Sequence, residues 1–384
     1  MSDTDNKSHV GKIKGIIQVI IAALIIVVAA FAVYLLLGPG KTKNPERAEA
    51  SPIKAGVVLT GSAADGGWNE MNYQGLKTAC RKYGVKLLAS ENVPENKVIC
   101  DKAIRGLAYA GCNIIFLTSY GYAEAADNPS SRYPGVKFFV CANDFDEEGM
   151  NSYTGRMYQA RFLTGIIAGM TTKSNIIGYV AAMPNNEVNR GINAFTLGAR
   201  SVNPDVSVHV EWVGSWNDSE KEKAAAHDLI DKGADVLTYH ANVPNTIQVA
   251  DEEGVYSIGY HRLPEKHSDK CLTAAVNNWD VIYDEMLSDY LKKTDKDEDY
   301  YWQGIETGAV GLDEYSPLVS EDIKQKVEEA KARIIDGNDV FSGNIKDNEG
   351  NLRCEEGEFL SDRELLGSMD WYVEGVVLHE EVEY

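Results

Sequence analysis

Where the short apolar runs of this chain end, the residues that follow are suited to gripping a small molecule. The run AGVVLTG (55–61) gives way to Ser62-Ala63-Ala64-Asp65-Gly66-Gly67-Trp68-Asn69. Its glycines permit a tight backbone, and Trp68 opens a helical pattern with a flat surface. Stacking of a base on such a ring contributes ~1–3 kcal/mol, so Trp68 is a candidate platform for a planar ligand. Packed on its own neighbours, it would instead be a lid. Similar exits recur at Thr118-Ser119-Tyr120-Gly121-Tyr122, Asn143-Asp144, Asn185-Asn186-Glu187, His240 with Asn242, Tyr260-His261, and Asn277-Asn278-Trp279. Singly, such residues are turn formers and helix caps. Together they describe a pocket with aromatic faces and neutral donor–acceptor edges. Trp68, Asn69, Tyr120, Glu187, His240, Asn242, Tyr260 and Trp279 stand as the candidate ligand-binding set.

That chemistry is selective. Adenine and related bases carry adjacent donors and acceptors that an Asn or Gln amide can pair in bidentate fashion. Glu187 can accept from an exocyclic amine or a ring N–H. A phosphorylated ligand calls for several cations, and only Arg156 and Arg190 lie near these exits. A pyranose also stacks on an indole, so a sugar is the competing ligand. Catalysis has little foothold: G-x-S-x-G and H-E-x-x-H are absent, and the seven histidines (9, 209, 227, 240, 261, 267, 379) are scattered. No enzyme activity, cofactor or metal site is expected.

The elements that must position these residues come in two series. Strand-like runs fall at 55–61, 85–90, 113–119 and 136–144, then again at 175–183, 206–213, 234–241 and 255–261. Helical patterns lie between them, including Asn69–Tyr83, Val188–Val202 and Ser219–Lys232. The strand runs are near-continuously apolar and β-branched, as in parallel sheets covered on both faces. Alternating strand and helix then gives right-handed βαβ units and a doubly wound sheet. The two series open alike: Gly56 runs to Gly75-Leu76-Lys77, and Gly178 to Gly198-Ala199-Arg200. The expectation is an α/β protein with two doubly wound parallel-sheet lobes around a hinged cleft. Ligands of such sheets sit beyond the C-terminal strand ends, and facing lobes close on them by hinge motion. The expected limits are residues 53–173 mainly for the first lobe and 174–274 mainly for the second. Residues 275–384 are expected to hold recrossing segments and C-terminal elements.

Ahead of this domain, Ile16–Leu37 is an uncharged run of 22 residues. At ~1.5 Å per residue a helix of that length spans the ~30 Å hydrocarbon layer. It is longer than the ~7–15-residue core of a cleaved signal. Residues 15–37 therefore predict one transmembrane helix retained as an anchor, with 1–14 cytoplasmic and 38–52 a polar tether; a signal cleaved after Ala48-Glu49-Ala50, a small-x-small pattern, is the alternative. No Cys precedes Cys80, so no lipid-bearing Cys follows the span. With Lys+Arg 37 and Asp+Glu 58, the net charge of −21 repels phosphate backbones and excludes nucleic acid as a partner. The six cysteines form no C-x-x-C pair, and Cys112 and Cys141 read as buried free thiols.

Longer stretches carry a family resemblance. They include Ala182-Met183-Pro184 through Glu187-Val188, Arg190-Gly191-Ile192-Asn193-Ala194-Phe195-Thr196-Leu197-Gly198-Ala199-Arg200-Ser201-Val202-Asn203-Pro204, and Gly233-Ala234-Asp235-Val236-Leu237. Asn278-Trp279, Phe341-Ser342-Gly343, Lys346-Asp347, Met369-Asp370-Trp371 and Val373-Glu374-Gly375 continue them. The chain resembles the basic membrane protein family of ABC-transporter solute-binding proteins, in the branch linked to purines and nucleosides, over 53–376. The resemblance implies a type I periplasmic-binding-protein-like fold with three crossovers between lobes. It also implies an extracytoplasmic binding domain and separate permease and ATPase partners, and puts Trp68, Tyr120, Glu187, His240 and Trp279 at cleft positions. Two departures stand out. Asn242 and His261 occupy places where acidic residues are expected, and an apolar span replaces the usual lipidated Cys. A ligand-sensing ectodomain acting through a membrane partner is the alternative role, beside sugar transport.

Overall fold

The computed structural model describes residues 52–126, 129–141, 150–294 and 300–379. Chain order begins with β1 (Lys54–Val58), α1 (Trp68–Tyr83), β2 (Lys86–Ser90), α2 (Lys97–Tyr109) and β3 (Ile114–Leu117). Two short helices, α3 (Tyr122–Ala126) and α4 (Pro129–Arg132), lead to β4 (Lys137–Val140) and β5 (Asn151–Gly155). Then follow α5 (Met157–Thr171), β6 (Ile176–Ala181), α6 (Asn186–Val202), β7 (Ser207–Trp212), α7 (Ser219–Asp231) and β8 (Val236–His240). After α8 (Asn245–Glu253) come β9 (Tyr256–Tyr260), β10 (Cys271–Asn277), α9 (Trp279–Lys292), β11 (Tyr300–Gln303), β12 (Val310–Leu312) and α10 (Glu321–Ile335). A hairpin of β13 (Ile345–Lys346) and β14 (Leu352–Cys354), then α11 (Asp362–Gly367) and β15 (Val376–His379), complete the described chain.

Two sheets organise these elements. The first has the order β11-β5-β4-β3-β1-β2, and the second β12-β10-β9-β8-β6-β7-β15. Pairing is parallel except between β10 and β12. All eight strand runs expected from the sequence contain strands, each shorter than its run, with β1 starting one residue earlier at Lys54. Register brings the exits level: Val58 lies beside Ser90 and Leu117, and Ala181 beside Trp212 and His240.

Three connections pass between the sheets. The chain leaves the first at Gly155–Met157, returns at Asn277–Trp279, and leaves again between Gln303 and Val310. The sequence put the end of the first lobe near 173. Instead α5 belongs to the second core, which begins at Met157. The reason is a close backbone packing of α5 on α6. A Cβ at Gly165 would lie 2.0 Å from the Phe195 carbonyl oxygen, and one at Gly198 would lie 2.0 Å from that of Phe162. Conversely, Trp279, Ile282, Tyr283, Met286 and Leu287 of α9 fill the core of the first lobe.

The helices that flank the cleft are capped by nearby side chains. The Asp65 carboxylate accepts from the backbone N–H groups of Gly67, Asn69 and Glu70, satisfying the start of α1. The Asn185 side chain does the same for α6 through Val188 N–H at 3.0 Å. All six cysteines are buried free thiols. Among the described residues, no helix is long and apolar enough to cross a membrane. The expected span Ile16–Leu37 and the exit pair Asn143-Asp144 lie outside the described residues.

Candidate functional site

The C-terminal ends of both sheets open into one cavity of about 290 Å³, close to the ~300 Å³ at which small-molecule sites begin. The first sheet lends Thr60, Trp68, Pro94, Glu95, Ser119, Tyr120 and Cys141. Facing them are Glu187, Trp216, Asn217, His240, Asn242, Tyr260 and His261 from the second.

Six of the eight candidate residues meet there: Trp68, Tyr120, Glu187, His240, Asn242 and Tyr260. Asn69 and Trp279 do not line the cavity. Asn69 is buried, its amide donating to the Asp65 carboxylate at 2.8 Å while its oxygen accepts from the Thr60 hydroxyl at 3.2 Å. Trp279 is also buried and meets the Trp68 ring edge-on at 5.2 Å. Both stand directly behind the site.

Trp68 is packed on its own lobe and also borders the cavity. Its indole N–H donates to the Thr118 carbonyl at 2.8 Å, which fixes the ring on its own lobe. The ring nevertheless lines the cavity, and its edge faces His261 across the cleft at 5.4 Å. Tyr120 stands at the rim with 42% of its surface exposed. Glu95 braces the neighbouring loop by accepting from the Ser119 hydroxyl and from Gly121 N–H at 3.0 Å. Asn242 donates to the Asn217 side-chain oxygen at 3.0 Å, so the two amides present one joined edge.

The opposite wall is a stack of rings. Tyr260 lies 3.7 Å from the His261 ring and 4.5 Å from that of His240. Burial, with the nearby Arg161 cation second, holds the His240 imidazole well below its ordinary pKa; the same two causes lower His261 to about 3. Both are therefore neutral at physiological pH, each with one donor and one acceptor nitrogen. His261 has a left-handed backbone (φ +71°), a conformation that costs non-glycine residues ~1–3 kcal/mol and clusters at functional sites.

The lobes also touch at the rim. A Cβ on Gly67 would come within 1.9 Å of the Asn242 carbonyl oxygen, so only glycine allows this approach. Beside it, Arg262 pairs with Glu70 across the cleft at 3.4 Å.

Trp216, Asn217, Pro94 and Glu95 were not expected from the sequence; they lie four or five residues beyond the ends of β7 and β2. Trp216 follows Gly214-Ser215 after β7 much as Trp68 follows Gly66-Gly67 after β1, and that parallel was a usable signal. Among the described residues no group of three or more His, Cys, Asp or Glu side chains could hold a metal ion. What the cavity supplies is recognition: flat surfaces, neutral imidazoles, amides and two carboxylates.

Comparison with known proteins agrees with this geometry. A purine-binding protein of Brucella abortus is 36% identical over 84% of this chain and 93% of its own length. A Haloferax volcanii protein, named provisionally as an ABC transporter glucose-binding protein, is 32% identical over 85% of this chain and 81% of its own length. Among solved structures, a solute-binding protein of an ABC transporter system from Aeropyrum pernix shares the fold. Its TM-score is 0.65 at 20% identity, over 77% of this chain and 93% of that one. The family model described as ABC transporter substrate-binding protein, PnrA-like, matches residues 53–342. The chain thus belongs to the Bmp family of ABC-transporter substrate-binding proteins, which bind small ligands for a permease and an ATPase and are not enzymes.

Proposed function

We propose that the cleft captures a purine base or nucleoside on the extracytoplasmic side of the membrane and delivers it to its permease. The observation that carries this reading is the Trp68 indole, braced by Thr118 and facing the neutral amide and imidazole edges of the other lobe. In this reading Trp68 covers the face of the base. Glu187, Asn242 and His240 meet its edges, Tyr260 backs them, and Tyr120 closes the rim. Asn69 and Trp279 hold Trp68 in place. The purine-binding relative in Brucella supports the choice of ligand.

Calorimetry of the full chain against adenine, guanine, hypoxanthine, adenosine, guanosine and a sugar panel tests it. Micromolar or tighter binding of a purine is expected. Binding of a sugar alone overturns the purine assignment, and the glucose-binding name of the Haloferax relative makes glucose the sugar to include.

The proposal extends to the anchor. Ile16–Leu37 remains attached and holds the binding domain at the cell membrane. N-terminal sequencing of membrane-fraction protein checks this, and a start near Ser51 contradicts it.

A further inference from the structure

Beneath the ring stack lies a charge that the site reading leaves unused. Arg161, on α5, is fully buried. Its guanidinium donates to the Tyr239 carbonyl at 2.8 Å and to the Thr238 hydroxyl at 3.3 Å, and lies 4.0 Å from the centre of the Tyr260 ring. Among the described residues no carboxylate pairs with it, and its Nε finds no partner. Burying a cation without a counter-charge is a steep desolvation cost that an apolar side chain of similar volume avoids. Tyr260 in turn packs against the rings of His261 and His240. Neither His261 nitrogen has a well-formed hydrogen bond, nor has Nδ1 of His240. Tyr260 thus links the buried guanidinium to the imidazoles, and all three rings line the cavity.

We propose that Arg161 is a positioning residue of the cleft: out of reach of the solute, it anchors the Tyr260–His261–His240 stack and gives that wall a fixed positive field, selecting uncharged flat solutes whose acceptor atoms meet the imidazoles. The proposal rests on the reading of the cleft as a purine site. The other charged or titratable groups around the stack divide in sign. Arg190 of α6 adds to the field at His240, while Glu187, at the start of α6, opposes it at Tyr260 and Tyr179. The Cys141 thiol, held protonated by burial, contributes no charge, nor do Tyr179 and Tyr239. No carboxylate acts on either imidazole strongly enough to raise its pKa. With Arg161 in place both rings stay neutral as pH falls, so a neutral base meets the same donors and acceptors at pH 5 as at pH 7.5. Burial is the larger cause of that neutrality and Arg161 the second; without Arg161 protonation sets in at a higher pH, and a protonated ring loses an acceptor and sets a charge against the base.

The test uses the full chain carrying Arg161→Gln or Arg161→Lys. Two readouts are taken: titration of ¹⁵N-labelled histidines without ligand, assigned with His261→Gln and His240→Gln, and calorimetry with adenine at pH 7.5 and 5.0. The wild type should show no His261 or His240 protonation above pH 5 and an adenine affinity changed less than ~2-fold between the two pH values. Arg161→Gln should raise at least one imidazole pKa by a unit or more; for His261 that is from about 3 to about 4, which protonates roughly a tenth of the rings at pH 5.0 and weakens adenine binding there less than ~2-fold, so the titration is the deciding readout. Adding His261→Gln should remove the shifted titration if His261 is the group that moves. Arg161→Lys keeps the charge and should titrate like the wild type. An Arg161→Gln protein with wild-type imidazole titration overturns the proposal. So does an Arg161→Lys protein whose imidazoles titrate like free histidine, and that outcome holds even if the Gln variant fails to fold. Absence of adenine binding together with the expected titration shifts removes the purine reading and leaves the role of Arg161 standing.

Discussion

Gly67→Ala should act as a wedge in the cleft. The added Cβ would sit 1.9 Å from the Asn242 carbonyl oxygen and 3.1 Å from its carbon. Ordinary contact is ~3.5 Å, so one side must retreat by roughly 1.6 Å. The obstacle is backbone, which cannot rotate aside as a side chain would. Gly67 and Asn242 belong to different lobes, so the cheapest relief is a slightly opened hinge. Overpacking of this kind costs ~1–3 kcal/mol, charged here against the closed form alone. Apparent affinity falls with the population of the competent form, so the dissociation constant for adenine should rise ~5- to 150-fold. The melting temperature of the ligand-free protein should stay within ~2 °C, because an opened cleft has room for the methyl group. Gly75→Ala is the contrasting control. Its Cβ would meet that of Trp279 at 2.4 Å inside the core of the first lobe, so there the melting temperature should fall. Calorimetry and thermal unfolding of both variants decide the matter. A folded Gly67→Ala protein with unchanged affinity refutes the reasoning.

Four further outcomes are expected. Trp68→Ala should weaken adenine binding ~5- to 150-fold, as loss of one stacked aromatic implies, with Trp68→Phe between it and the wild type. A lowered melting temperature with unchanged affinity would instead make Trp68 a packing residue. The Glu70–Arg262 pair is partly exposed, so Glu70→Gln should cost at most ~1 kcal/mol of closure, an effect that fades in about 0.5 M salt; a double-mutant cycle with Arg262→Met measures it. The folded pKa of His261 is about 3 against an ordinary 6.5, so the unfolded chain takes up a proton that the folded one refuses, and stability is lost as pH falls below about 6.5. Urea unfolding should therefore show a drop from pH 7.5 to 5.0 about 2 kcal/mol larger for wild type than for His261→Gln. Burial pushes the Cys80, Cys100 and Cys271 thiols up to about 12 and raises the other three; none of the six should react with a thiol reagent until the protein unfolds, and reductant should leave the melting temperature unchanged.

Much of this architecture was legible because a parallel strand covered on both faces has to be apolar throughout, and NIIFLTS or NIIGYVAAM can hardly be anything else. The exits were legible for the same reason, since the first polar residue after such a run marks the end of the sheet. Lobe membership was harder to read. Nothing local in Met157–Thr171 says that its glycines mate with those of α6 rather than with the first sheet; that choice depends on surfaces far apart in sequence. Asn69 and Trp279 show a related limit. Sequence placed them at the edge of the cleft, and the turn of the helix decided that they face inward, behind the cavity rather than into it. Arg161 gave no signal at all, because a single cation in an apolar helix is indistinguishable from a surface residue until its surroundings are known.

The three crossings between the lobes also govern how the protein can be made and cut. The core of the first lobe needs Trp279, Ile282, Tyr283, Met286, Leu287 and Tyr301, which follow α5 to β10 of the second lobe in the chain. As synthesis proceeds from the N-terminus, the earliest strands must wait for these residues with an unfinished core, exposed to aggregation or to a chaperone's hold. The second sheet is likewise incomplete until β15 (Val376–His379) covers the edge of β7. No contiguous gene fragment encodes either lobe, so exchanging one lobe between relatives takes three splices, and a premature stop late in the gene damages the sheet that began second and finishes last.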